Sequence, residues 1–417
     1  MVSIKPFRAV RPNSYDVDQI ASLPYDVVSK SEVLKLVEDN PKSFLNIDRT
    51  DVRFETEDAD EVYELAKDKL ADFMDKGWLI KEEEPALYIY RLLQGDRLQY
   101  GLVTTIAVAD YADGHIKRHE FTRPDKEKDR IRHNDCSDAN TSPIFLTMRK
   151  NSKLKLLLKK EREARLPLYT FDSFNDTNHC IWRITDPATI ENIQSIFAEE
   201  ITNLYIADGH HRMESAYKVS KMRQEAYPDA PEEASFNYFL GVIFSEEELT
   251  ILPYNRIVEG DITPLTVKII SQAFDFEKVE AETFTPKEAG TIGMFANGDW
   301  YKLTIKKDKI PADPVAALDA SLLQNYVLSP VFGIENPRTD QRIEFVGGIH
   351  PIEELMARAG FGKIAFSMYQ TTMEQLLNVA DHGEVMPPKS TWFEPKLLSG
   401  LFVHPFESEK YLKSGVE

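Results

Sequence analysis

Leu204-Tyr205-Ile206-Ala207-Asp208-Gly209-His210-His211-Arg212 is the stretch whose reading decides the fold. The apolar run from Leu204 to Ala207 predicts a strand, and Gly209 a tight turn. Met213, Ala216 and Tyr217 share one face of a following helix. Glycine at such a turn lets backbone approach a ligand closely. The free N–H groups of a helix start attract anions, and Arg212 adds charge and a fork of donors. The unit is therefore a candidate phosphate site in an α+β protein. Asp208 could cap the helix, hold a metal-bound phosphate or orient a histidine. The structural alternative is a capped helix start whose polar residues face solvent.

The 417 residues suffice for more than one core. Hydrophobic content of 42% and charged content of 29% describe an ordinary globular chain. With 50 Lys+Arg against 69 Asp+Glu, the net charge of −19 disfavours broad nucleic-acid binding. A local basic pocket for a small anionic substrate remains compatible with it. Cys136 and Cys180 give neither a disulfide framework nor zinc spacing. Met1 to Arg8 lacks the apolar core of a secretion signal, and charges break every apolar run before it could span a bilayer. The expected location is the cytoplasm, with no membrane partner.

Outward from the turn, Ser29 or Ser31 caps a short helix carrying Val33, Leu34 and Val37. A longer helix is expected from about Asp58 to Lys76, with Gly77 as its stop. Strands are expected over Ala86–Tyr90 and Tyr100–Val108. Asp113-Gly114 reads as a hairpin that returns Ile116 to Glu120 in an antiparallel meander. Further strands are expected at Ile144–Leu146, Phe239–Phe244, Trp300–Ile305 and Ile364–Met368. Helices are expected over Asp125–His133, Lys153–Arg165, Thr263–Ala273 and Val315–Leu328, with a Thr371/Glu374 capping box before another. Tandem prolines make Met386 to Trp392 a loop.

Two further constellations carry chemistry. Glu120, in His119-Glu120-Phe121-Thr122-Arg123, is a carboxylate at a strand end that could accept a proton from an alcohol. Thr122 could bind phosphate or backbone. The segment is no zinc-protease motif, because Arg123 stands where a second histidine would be needed. Lys126-Glu127-Lys128-Asp129-Arg130-Ile131-Arg132-His133 reads as a solvated helix face or as a cationic wall around a polyphosphate. Walker, dinucleotide-binding and protein-kinase motifs are absent.

In order, His119-Glu120 with Thr122, the helix from Lys126 to Ile131, Ser142-Pro143-Ile144-Phe145-Leu146-Thr147 and Ile206 to Arg212 resemble the ParB/sulfiredoxin-like superfamily, in particular its free-serine kinases. In those small kinases a comparable His-Glu, a Pro-led strand and an Asp-Gly-x-His-Arg turn follow in the same order. The whole chain is also similar to a larger bacterial and archaeal family known as a conserved domain of unknown function. That similarity rests on Leu23-Pro24-Tyr25-Asp26-Val27, Asp319 through Gln324, Phe345-Val346-Gly347-Gly348 and Met386-Pro387-Pro388-Lys389-Ser390-Thr391. One departure is clear: some sixty residues separate the Pro-led strand from the Asp208 turn, where the small kinases have a short hairpin.

The resemblance implies a ParB/sulfiredoxin-like mixed-sheet core with added N- and C-terminal α/β elements. With the change of pattern after Leu252-Pro253-Tyr254-Asn255, the expected division is an N-terminal α/β region over 1–85, a ParB/sulfiredoxin-like kinase core with insertion over 86–260, and a C-terminal α+β domain over 261–417. The resemblance implies phosphoryl transfer to the hydroxyl of free L-serine from ATP, ADP or pyrophosphate, with Mg²⁺ bridging donor oxygens. Glu120 and Asp208 are the implied catalytic residues, and His119 the serine-binding one. Thr122, Lys126, Lys128, Arg130, Gly209, His210, His211 and Arg212 form the implied donor shell; no metal ligand is assigned. The other reading within the superfamily is a nucleotide-binding and hydrolysing regulator. A sulfiredoxin-type reductase is disfavoured, because its cysteine is replaced at the turn by His210 and His211.

Overall fold

A computed structural model describes residues 1–56 and 59–411. The architecture is α+β, in two compact units: Met1–Lys117 with Phe121–Leu249 and Pro395–Glu417, and Arg118–Glu120 with Thr250–Glu394. The expected 1–85 region falls wholly in the first unit, and the expected 261 boundary lies eleven positions beyond Thr250.

The first unit is built on a nine-stranded mixed sheet. Its strands are β1 (Ile4–Lys5), β2 (Leu87–Gln94), β3 (Arg97–Ala107), β4 (Ile116–Lys117), β5 (Ile144–Met148), β6 (Tyr169–Ser173), β7 (Thr177–Ile184), β8 (Leu204–Asp208) and β9 (Tyr238–Ser245). Their order is β4-β8-β5-β9-β3-β2-β7-β6, with β1 on β3. β8 runs parallel to β4 and antiparallel to β5. Nearly every residue of β5, β8 and β9 is buried, as expected of central strands covered on both faces.

The longer helices flanking these strands are α1 (Lys30–Asp39), α2 (Asp60–Asp75), α3 (Pro124–Ser137), α4 (Ser152–Ala164), α5 (Pro187–Glu200) and α6 (His210–Ala226). Ser29 caps α1 through a reciprocal box with Glu32, and Gly77 at φ +67 ends the turn after α2. The expected start of α2 at Asp58 lies outside the described residues. Leu154, Leu158, Ile193, Phe197 and Met213 bring α4, α5 and α6 into one core with Leu146 and Ile206 of the sheet. The insertion between β5 and β8 is thus part of the main core: β6 and β7 extend the sheet through β2, and α4 and α5 cover it.

The expected meander is not formed. Residues Ala109–Ala112 make a helical turn whose last N–H bond, from Asp113 to Ala109, leaves Asp113-Gly114 as a helix stop rather than a hairpin. β4 therefore pairs in parallel with β8 and makes no return along β3.

The second unit carries a six-stranded antiparallel sheet. Its strands are β10 (Tyr254–Glu259), β11 (Phe274–Val279), β12 (Thr291–Ala296), β13 (Asp299–Ile305), β14 (Ile343–Gly347) and β15 (Lys363–Ser367), in the order β11-β13-β12-β15-β10-β14. Helices α7 (Pro264–Ile270), α8 (Asp319–Leu323), α9 (Ile352–Ala359) and α10 (Met373–Asp381) complete it. Alternation along β10 sends Val258 to a core with Leu322, Leu323 and Phe366, and Ile257 to one with Leu355 and Ala359 of α9.

Two local expectations shift here. The helix expected from Val315 starts at Asp319 and passes into a π turn over Gln324–Leu328, where Ser329 N–H reaches back to Gln324. Pro330 cannot donate to the ladder that follows. The capping box of α10 is Thr372 with Gln375, one residue on from the expected pair. Thr371 is occupied elsewhere, its hydroxyl donating to Ser390 O at 2.8 Å.

Candidate functional site

β8 ends at Asp208, and Gly209 turns the chain at φ +96, ψ 33 into α6. Only glycine suits the position: a Cβ would lie 2.9 Å from Arg212 Nε in a conformation L side chains rarely adopt. The N-cap is Gly209, not Asp208, so no side chain caps the helix. The first N–H groups of α6 have no intrahelical acceptor.

Asp208 is spent on cations. Its Oδ2 accepts from Lys396 Nζ at 3.0 Å, and Arg212 lies 4.0 Å from Oδ1. Burial pushes this carboxyl up, but Lys396, Arg212 and His210 outweigh that and hold it well below the usual range. His210 is buried. His211 Nε2 accepts the Arg123 N–H at 3.0 Å, so it ties the start of α3 to the turn as a neutral ring. Burial lowers its pKa against the pull of Asp26 and Glu127.

Beneath the turn, Arg212 is 7% exposed and donates to Pro143 O, while its Nε is buried without a partner among the described residues. Arg130 of α3 is 6% exposed and donates to Asp129 at 2.8 Å. Its guanidinium stacks 4.1 Å from the Tyr25 ring centre. Burial opposes the Arg130 charge, yet Asp129, Tyr25 and Asp48 raise its pKa. Burial and Asp26 push the Tyr25 hydroxyl up despite Arg130 and Arg212. The two arginines, Tyr25, Asn140, Thr141 and Ser142 enclose a cavity of ≈ 10 Å³, room for about one water. Asp48 fixes its wall, accepting from Thr141 and Ser142 at 2.8 Å each.

Tyr25 and Arg130 also line a groove of ≈ 540 Å³, together with Asp26, Lys30, Lys126 and Lys128. Lys126 and Lys128 are exposed there, as a solvated helix face has them, while Arg130 of the same run is buried. Thr122 donates to Glu127, which pairs with Lys218, so its hydroxyl braces the first turn of α3.

The first unit thus gathers Thr122, Lys126, Lys128, Arg130 and Asp208 through Arg212. His119 and Glu120 belong to the second. Glu120 is half-buried in the bend after β4. His119 is 2% exposed, its Nε2 3.3 Å from Thr391 Oγ1 and its carbonyl accepting Met386 N–H at 2.8 Å. Residue reasoning did not assign Tyr25, Asp48 or Lys396. Tyr25 had a signal in the Leu23-Pro24-Tyr25-Asp26 stretch; Lys396, 188 positions from its partner, had none.

A family model described as "Protein of unknown function (DUF1015)" matches residues 4–321. No curated protein matches the chain. Among solved structures it is similar to C-terminally truncated SbnI from Staphylococcus aureus, at 12% identity and TM-score 0.39, over 75% of this chain and 90% of that one. A free serine kinase in complex with AMP matches at 14% identity and TM-score 0.36, over 70% and 86%. A conserved hypothetical protein from Pyrococcus furiosus matches at 14% and 0.35, over 74% and 97%. At these TM-scores the likenesses carry no functional argument.

Proposed function

We propose that this chain, which belongs to the DUF1015 family, is a small-molecule kinase that transfers a phosphoryl group to the hydroxyl of free L-serine, giving O-phospho-L-serine. The observation that carries the reading is the uncapped start of α6 above two buried arginines, one with an unsatisfied Nε. Buried donors without acceptors are costly, and an anion is what they lack. The ordered motifs that resemble the free-serine kinases supply the rest of the reading.

In this proposal the N–H groups at Gly209 to Arg212 take the donor's phosphates, with Arg212 and Arg130 neutralising charge from beneath. Lys126 and Lys128 draw the polyphosphate along the groove. Glu120 accepts the serine hydroxyl proton while that oxygen bonds to the terminal phosphorus. The bond from phosphorus to its bridging oxygen breaks, and the shortened donor leaves with the electron pair. His119 orients the acceptor side. Such transfers depend on positioning and electrostatics more than on covalent chemistry. Mg²⁺ would accompany the donor and offset its charge; Asp208, ion-paired to Lys396, is not assigned to hold it. The donor is ATP, ADP or pyrophosphate.

The test incubates the full chain with Mg²⁺, L-serine and each donor in turn, following phosphoserine by phosphorus NMR. Phosphoserine with one donor supports the reading, and none with any donor removes it. Nucleotide consumed without phosphoserine favours a ParB-like nucleotide-hydrolysing regulator.

A further inference from the structure

The second unit holds two opposite charges that do not meet, Arg256 buried and Asp319 half-buried. Arg256 of β10 is 4% exposed. Its guanidinium donates to the carbonyls of Tyr254 and, at 3.2 Å, Lys389, and no carboxylate among the described residues lies within 4.0 Å of it. Burial pushes it down to about 10, against Tyr254 and Asp319. Asp319 opens α8. One of its oxygens accepts Gly290 N–H at 2.8 Å; the other, Oδ2, is buried with no partner among the described residues. Burial pushes this carboxyl up to about 6, although Gly290 and Arg256 both lower it.

Both side chains line one small pocket, with Tyr254, Thr371, Gln375 and Ser390. Met368 to Thr371 form much of its wall, and Ser390 brings in the tandem-proline loop, which is internally fixed. Ser390 Oγ donates to Pro387 O at 2.7 Å, Thr371 Oγ1 to Ser390 O at 2.8 Å, and Lys389 holds φ +57. The segments Asp319–Gln324 and Met386–Thr391, which the phosphate site leaves unused, therefore converge here.

Buried ions kept for stability are held against their partners, because an unmatched buried charge costs several kcal/mol. Arg256 and Asp319 instead face a shared space. A lone anion there would be repelled by Asp319 and a lone cation by Arg256. A small molecule bearing both charges satisfies both. We propose that this pocket binds the charged head of a free α-amino acid, its carboxylate on Arg256 and its ammonium on Asp319 Oδ2. At ≈ 10 Å³ the pocket has room for about one water, so entry of the charged head displaces the wall held by the Thr371–Ser390 bond. The inference needs neither a phosphate donor nor the Asp208 turn, and stands apart from the transfer reading.

Titration calorimetry of the full chain without donor tests it. Glycine and L-serine are expected to bind. Ethanolamine and glycolate, which carry one charge each, are expected to bind roughly tenfold or more weakly. Arg256→Gln and Asp319→Asn should each lower amino-acid affinity by a similar factor. Should Arg256→Gln not fold, Arg256→Lys and the one-charge ligands on the unaltered chain decide the same point. Absence of glycine and serine binding at millimolar concentration overturns the proposal. So does equal binding of glycolate, or affinity unchanged in the folded variants.

Discussion

Lys396 Nζ sits 3.0 Å from Asp208 Oδ2, so the end of the central strand β8 is neutralised by a residue 188 positions later in the chain. The pair is mostly buried, with side-chain exposures of 13% and 28%. It fixes Asp208 as an anion and keeps a cation next to the Gly209 turn. Lys396→Met removes the carboxylate's hydrogen-bonded cation and leaves Arg212, at 4.0 Å, and His210 beside it. The expected cost is roughly 3 kcal/mol at neutral pH. The sign with pH follows from the depressed Asp208 carboxyl. Its contribution is present above the ordinary aspartate range and lost as pH falls through the folded value. Removing Lys396 raises that folded value, so acid unfolding followed by circular dichroism should begin at higher pH in the variant. An unchanged acid midpoint would show that the pair does not hold the turn.

Gly209→Ala tests the turn itself. A left-handed φ of +96 and a Cβ 2.9 Å from Arg212 Nε act together. The backbone term alone is about 1–2 kcal/mol, and Arg212 must move as well. The expected result is a loss of roughly 2 kcal/mol in urea unfolding, with weaker pyrophosphate binding by calorimetry. Retained stability and affinity together would mean that the turn tolerates a side chain and that Arg212 is not set by it.

What the sequence disclosed follows the range of the forces involved. The Leu204–Arg212 turn was legible because an apolar run, one glycine and helical spacing are local signals. Asp186-Pro187 is an equally local helix start, with Asp186 accepting from Thr189 N–H at 2.9 Å, inside a stretch that stands out in sequence only as an insertion. The meander failed because Asp113-Gly114 suits a helix stop as well as a hairpin. Only the pairing of Leu204 with Ile116 separates the two. The cavity between Arg130 and Arg212 needed Tyr25, which lies more than a hundred residues from Arg130, and no periodicity reports such a convergence. The buried Arg256 was invisible for the same reason: a charged residue in a strand reads as solvated until both sheet faces are known to be covered.

Asp319 gives a pH dependence of the opposite sign to Asp208. Its folded pKa, about 6, lies above the ordinary aspartate value of 3.8. The unfolded chain therefore releases this proton first, and stability falls as pH rises from about 4 to 6. Asp319→Asn keeps an acceptor for Gly290 N–H and removes the charge. It should stabilise the protein at pH 7 by up to roughly 3 kcal/mol, with no difference from the unaltered chain below about pH 4. Urea unfolding at several pH values reads this directly. A gain in stability with a loss of amino-acid binding would mark Asp319 as kept for its ligand. A variant less stable at pH 7 would instead make the carboxylate a structural partner of Arg256.

Glu120→Gln and Arg212→Lys separate the two halves of the proposed transfer. The first removes a base and keeps the shape of the side chain. It should lower kcat for phosphoserine formation by about 10²–10⁴-fold, while the KM for the donor stays near its original value. The second keeps a positive charge but loses the planar fork that serves Pro143 O and the open Nε. It should raise the donor KM by roughly tenfold or more and leave the KM for serine unchanged. The contrast carries the argument, because a general loss of folding would move all three constants together. If Glu120→Gln turned over at the original rate, the proton would have another acceptor. If Arg212→Lys left the donor KM unmoved, the buried Nε would face no phosphate, and the anion reading of the turn would fall with it.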